Sequence, residues 1–299
     1  MIIPPFLTRG DVVGIVAPAR KVSANELKPA IEFLEMNGFR VALGKNIFAK
    51  ANQFAGTDEQ RAADFQTFLD DPDIKAILCA RGGYGSVRII DRLNFDGFVQ
   101  SPKWICGYSD VTVFHSHLHG MGYATLHGTM PINIKEEDLY SPANTSLVRG
   151  LTGKSLAYTV PAHSLNRCGE VTAPIVGGNL SILYSLLASG SDIGTDGKIL
   201  FIEDLDEYLY HVDRMMMALK RSGKLAKLAG LVVGGMSDMN DNTIPFGHTA
   251  EEIIARVTEG YDYPVCYGFP AGHIGENMAL RLGTDATLVV TERQTTLKF

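Results

Sequence analysis

The chain has no CxxC pair, no basic run interleaved with aromatics, no apolar stretch of 18 residues, and neither a fixed-period repeat nor a low-complexity tract. Each absence removes a class. Its four cysteines, Cys79, Cys106, Cys168 and Cys266, lack the spacing of a zinc or thioredoxin-type motif, and Cys79, Cys106 and Cys266 sit in apolar runs, which suits reduced core thiols. With 27 basic against 33 acidic residues the formal charge is −6, so a small molecule is the expected partner rather than nucleic acid or an anionic membrane. No run is long enough to span a bilayer, and solenoid and disordered classes have no support. The first residues, Met1-Ile2-Ile3-Pro4-Pro5, lack the basic and apolar regions of an export signal, so a cytoplasmic location is expected.

What the chain does have is alternation. At 299 residues about two domains are expected, each able to bury its own core. The run Val12 to Ala17 predicts a strand, Asn25 to Asn37 a helix stopped by Gly38, and Phe39 to Leu43 a second strand. Thr57-Asp58-Glu59-Gln60 is a capping box opening a helix to Leu69; Ile74 to Ala80 and Trp104 to Cys106 predict further buried strands. This β-α-β order implies an α/β fold with a mostly parallel sheet covered on both faces. The pattern weakens between about Lys135 and Thr172. Residues 1–150 are therefore expected to form an N-terminal α/β domain, 151–172 a linker, and 173–299 a smaller α/β domain. The second domain should hold helices near Asn179 to Ala188, Tyr208 to Arg221 and Ala250 to Thr258, and strands over Lys198 to Ile202, Leu228 to Val233 and Pro264 to Tyr267.

Ligands of open α/β sheets bind beyond the carboxyl ends of the strands, so polar residues that directly follow apolar runs are the candidates. Ser109 follows Trp104 to Cys106 through Gly107-Tyr108, where a strand-to-helix turn can project a nucleophilic hydroxyl; Val111 stands where the hydrolase elbow Gly-x-Ser-x-Gly has its second glycine, and an ordinary helix cap fits the same residues. Glu203 and Asp204 follow Ile199 to Ile202, and His273 comes after Phe269-Pro270-Ala271-Gly272. Serine needs a base, and the base needs a carboxylate to hold its tautomer, so a serine, a histidine and an acid are the parts of one device. Asp204, Asp206 and Glu207 compete with Glu203 for the acidic role, or cap the next helix. Arg81-Gly82-Gly83-Tyr84-Gly85 follows another strand and matches neither GxGxxG nor a Walker loop, which leaves nucleotide binding without its main support. Backbone amides of Asp110 and of Gly82 or Gly83 are candidate oxyanion donors, and Arg81 and Tyr84 are candidate substrate contacts. His115, His117 and His119 do not share one helix face, so packing is preferred to a metal site and no cofactor is expected.

Gly107-Tyr108-Ser109-Asp110-Val111-Thr112, Arg81-Gly82-Gly83-Tyr84-Gly85, Gly177-Gly178-Asn179, Phe201-Ile202-Glu203-Asp204 and Gly272-His273, in that order along nearly the whole chain, resemble the LD-carboxypeptidases of the muramoyltetrapeptide type. These are serine peptidases whose family also includes microcin C immunity peptidases. The resemblance implies a flavodoxin-like N-terminal domain, a Ser-Glu-His triad on Ser109, Glu203 and His273, no metal, and a homodimer. It further implies cytoplasmic peptidoglycan recycling, with release of the terminal D-alanine from a muropeptide tetrapeptide across an L,D bond. Two alternatives are a microcin-immunity peptidase acting on an aminoacyl-nucleotide amide, which would want an aromatic platform, and a non-catalytic small-ligand-binding protein.

Overall fold

A computed structural model describes all residues, 1–299. The first sheet runs in the order β11-β5-β4-β3-β1-β2, built from β1 (Val12–Val16), β2 (Arg40–Leu43), β3 (Ile74–Cys79), β4 (Trp104–Gly107) and β5 (Thr125–His127), with β11 (Leu280–Leu282) at one edge. Its first five strands are parallel in the order 2-1-3-4-5, the flavodoxin-like arrangement. Both faces are covered. Trp104, Cys106 and Leu78 pack on one side and Ile105, Ile77 and Cys79 on the other, the alternation a buried strand imposes. Helices α1 (Ala24–Met36) and α2 (Asp58–Asp70) begin with full capping boxes, Ser23 with Glu26 and Thr57 with Gln60.

The second sheet is mixed, in the order β10-β9-β8-β7-β12-β13-β6. Its parallel part contains β7 (Gly169–Asn179), β8 (Ile199–Leu205), β9 (Gly230–Ser237) and β10 (Val265–Cys266), and its antiparallel part adds β12 (Asp285–Val290), β13 (Gln294–Lys298) and β6 (Ala157–Pro161). Buried side chains of α7 (Leu209–Arg221) and α8 (Ala250–Val257), Met215 and Met216 among them, join one core cluster with Leu200 and Ile202. Met215 and Met216 fill the core, while Met217 on the same helix is exposed.

Three expectations are corrected. The stretch 151–172 contains β6, whose residues alternate exposed and buried around Tyr158 and Val160, so it is partly sheet rather than linker. The helix expected to run to Ala188 is only α6 (Leu180–Ser185), and Ala188 adopts a left-handed φ of 62°. A cut at 173 also fails to separate the sheets, because β11 returns to pair antiparallel with β5, Leu280 opposite His127. That pairing is long-range, and local periodicity carries no trace of it.

Candidate active site

Sequence dictates the elbow locally. After β4 the chain turns through Tyr108 into a short 3-10 turn, Ser109–Val111, and then α4 (Thr112–Gly120). Ser109 has φ of 64°, a left-handed conformation that a non-glycine residue adopts at some cost and that commonly marks a functional turn. Its Oγ lies 3.0 Å from His273 Nε2. On the other side of that ring, Nδ1 donates to Glu203 Oε2 at 2.7 Å, and the His273 backbone N–H donates to the same oxygen at 3.0 Å. Glu203 is fully buried in β8, next to the sheet's carboxyl end. The three side chains form one continuous line across the cleft between the sheets, a hydroxyl from the first and an imidazole with its acid from the second.

Burial alone would push the His273 ring toward its neutral form. The hydrogen bond and charge of Glu203, with Asp204 behind it, outweigh burial and hold its pKa above the ordinary histidine value. Asp204 does not cap the helix at Tyr208. It is buried, accepts from Asn179 Nδ2 at 2.8 Å and from Ser181 N at 2.9 Å, and burial followed by the Glu203 charge raises its pKa to about 7.

The glycine-rich loop after β3 lies directly over Ser109. A Cβ built on Gly82 would fall 2.8 Å from Ser109 Cβ and 2.9 Å from its Oγ, so this close approach requires glycine. The backbone N–H groups of Gly82, Gly83 and Asp110 have no acceptor within the protein. Asp110 has a second job: its buried carboxylate accepts from Ser86 N at 2.8 Å, tying the glycine loop to the elbow, and burial raises its pKa. Arg81 reaches Glu26 at 3.7 Å with both side chains well exposed, while Tyr84, exposed, has its ring 6.1 Å from that of Phe54. Arg81, Arg20 and Lys21, with Asn52 and Gln53, line a basic recess beside the loop. A second, polar pocket is lined by Tyr108, Thr129, Asn133, Asp138, Ile274 and Asn277.

Several of these residues escaped the sequence. Arg20, whose side chain lies across Gly83, follows β1 by a few residues and satisfies the same strand-end rule that singled out Arg81. Gly177-Gly178-Asn179 is a contact between the sheets: the Asn179 N–H donates to Thr112 Oγ1 at 3.0 Å, and a Cβ on Gly178, at φ 144°, would lie 2.4 Å from that hydroxyl. Asn277 had no local signal at all. The histidines of α4 diverge, His115 Nε2 pairing with Gly107 O, His117 Nδ1 with Ser191 Oγ and His119 Nε2 with Thr125 Oγ1. No three His, Cys, Asp or Glu side chains are gathered as metal ligands, and no helix is long and apolar enough to cross a membrane.

Comparison with known proteins places this geometry. The LD-carboxypeptidase N-terminal domain matches residues 13–128 and the LD-carboxypeptidase C-terminal domain residues 172–288. A probable murein peptide carboxypeptidase of Bacillus subtilis is 35% identical, covering 97% of this chain and 92% of the relative. The murein tetrapeptide carboxypeptidase of Pseudomonas aeruginosa is 29% identical with 92% of each covered, and the microcin C7 self-immunity protein of Escherichia coli 27% identical with 93% and 90% covered. The crystal structure of muramoyltetrapeptide carboxypeptidase from Oxalobacter formigenes superposes with a TM-score of 0.88 at 27% identity, over 96% of this chain and 98% of that one. Two matched domains, in order and flanking the same cleft, together with relatives aligned end to end, establish that the chain belongs to the LD-carboxypeptidase family.

Proposed function

We propose that the protein is a serine-type LD-carboxypeptidase that removes the terminal D-alanine from muropeptide tetrapeptides, with Ser109 as nucleophile, His273 as general base and acid, and Glu203 as the group that orients and stabilises the imidazolium. One observation carries the reading: the Oγ···Nε2 and Nδ1···Oε2 contacts of 3.0 and 2.7 Å, joined through a single ring. Ser109 Oγ attacks the carbonyl of the penultimate residue as His273 takes its proton. The tetrahedral oxyanion is met by the amides of Asp110 and of Gly82 or Gly83. His273 then gives the proton to the leaving amine, and water, activated by the same ring, releases the acyl-enzyme. The basic recess of Arg20 and Arg81 would hold a substrate carboxylate.

Incubation with a muropeptide tetrapeptide should liberate free D-alanine, and Ser109→Ala protein should not; release of no D-alanine at high enzyme concentration would overturn the assignment. Similarity to the microcin immunity protein keeps an aminoacyl-nucleotide amide as a second substrate to be run in parallel. Trp104, however, is spent in the core, its ring stacked on Phe6 at 5.7 Å and its Nε1 donating to Pro5 O, which leaves the base without that platform. Stoichiometric labelling of Ser109 by a fluorophosphonate would exclude a non-catalytic binding protein. A cytoplasmic homodimer engaged in peptidoglycan recycling completes the proposal, and light scattering reads its assembly.

A further inference from the structure

Behind the triad runs a second hydrogen-bonded chain that shares none of its side chains. Asn277, only 5% exposed, accepts at Oδ1 from the Gly272 N–H at 2.8 Å, and the same oxygen lies 2.9 Å from His127 Nε2. Donor logic fixes every atom in this chain. A backbone N–H can only donate, so the carboxamide atom facing Gly272 is oxygen, and an oxygen facing His127 Nε2 requires a hydrogen on that nitrogen. His127 is fully buried, its Nδ1 has no partner, and burial, with the charge of His115 adding, pushes its pKa down to about 3. Near neutral pH it is thus a neutral donor.

The two ends of the chain lie on opposite sides of the cleft. His127 ends β5 and stands in register with Gly107 of β4, two residues before the nucleophile. Gly272 directly precedes His273. Other hydrogen bonds to this loop come from the second sheet or the loop itself: Gly235 N to Ala271 O at 2.9 Å, Ser237 Oγ to His273 O at 2.8 Å, and His273 N to Glu203. Apart from the bond between His273 and Ser109, the route through His127 and Asn277 is the one hydrogen-bonded tie from the first sheet to residues 271–273.

We propose that Asn277, held by His127, is a positioning residue for the catalytic base: it gauges the separation of the two sheets and keeps His273 Nε2 within reach of Ser109 Oγ. The inference rests on the triad reading, and its test keeps the two apart because labelling of Ser109 in the wild-type protein reports an activated serine whatever the substrate. The groups facing the His273 ring are Glu203 and Asp204 from β8, Ser109 and Tyr108 from the elbow, and His127 from β5, the Tyr108 ring packing edge-on at 4.9 Å. A base displaced by an ångström loses on the order of a hundredfold.

Full-length Asn277→Ala and His127→Leu should each lower kcat by about 10- to 100-fold with KM changed by less than about threefold. Both should move the acid limb of kcat/KM down toward ordinary histidine as His273 loosens from Glu203. His127→Gln, which keeps an N–H at similar reach, should recover most of the lost kcat, and the double variant should be no worse than the worse single. The rate of fluorophosphonate labelling at Ser109 should follow the same order, and it needs no substrate. Nitrogen-15 NMR should find His127 neutral and protonated at Nε2 from pH 5 to 9. Variants that lose thermal stability while keeping kcat, labelling rate and pH limb would overturn the proposal, as would a His127→Gln protein as impaired as His127→Leu, or a His127 that titrates in that range. If wild-type protein released no D-alanine yet labelling still fell in this order, the substrate reading would fail and the positioning role would stand.

Discussion

Ser109 and His273 reach the same point from backbones of opposite kinds. Ser109 stands on a strand-to-helix turn whose left-handed φ is set by its immediate neighbours, with β4 paired on both sides beneath it. His273 stands on a loop between the two-residue β10 and the three-residue β11, and is held by hydrogen bonds from partners 36 and 70 positions away, Ser237 and Glu203. Ser109 is placed by local conformation and His273 by long-range contacts. Substitutions at the elbow should therefore act on chemistry, and substitutions where the sheets meet on geometry and stability together.

Removal of the Ser109 hydroxyl should give the sharpest break. Ser109→Ala should lower kcat by about 10⁴-fold or more while circular dichroism and melting stay close to wild type. Crowding Ser109 without removing its hydroxyl comes next: Gly82→Ala places a methyl against Ser109 Cβ and Oγ and should cost roughly 10²- to 10³-fold in kcat, again with little change in urea midpoint. A contact between the sheets should behave the other way. Gly178→Ala, with its Cβ against Thr112 Oγ1 at positive φ, should destabilise by about 1–3 kcal/mol in urea titration, and a stability loss below the error of that titration would refute the close packing assigned to this turn.

The smallest effect is the pH dependence of the base. His273 must be neutral to accept a proton and its folded pKa is raised, so kcat/KM should fall on the acid side of a midpoint above 6.5. Stability carries the opposite sign. A raised folded pKa contributes stability that is fully present below the unfolded value and lost as pH rises through the folded one, so wild type should lead His273→Gln by more at pH 5.5 than at pH 9. A midpoint below 6 would argue against the control of His273 by Glu203.

Much of the first sheet was legible because its signals are local: apolar runs of strand length, a capping box at Thr57, and a serine right after Gly107-Tyr108. Among the acids at the end of β8, motif order chose Glu203, and local pattern alone could not separate it from Asp204, since the two differ only in which way each side chain leaves the strand. Glu203 turns to His273 and Asp204 to Asn179. β6 was missed because five alternating residues flanked by turns give a weak signal, and β11 because three residues pair with a strand more than 150 positions earlier.

By itself the sequence determined the α/β alternation, the strand ends at which chemistry could sit, and the residue types available there, because strand burial, capping and turn formation depend on neighbours a few positions apart. Tertiary structure decided which of those ends meet. The 3.0 Å between Ser109 and His273, the 2.7 Å bond through which Glu203 tunes His273, and the tie through His127 and Asn277 all join residues 70 or more apart in the chain, and such distances are set by how two sheets pack, which no local pattern encodes.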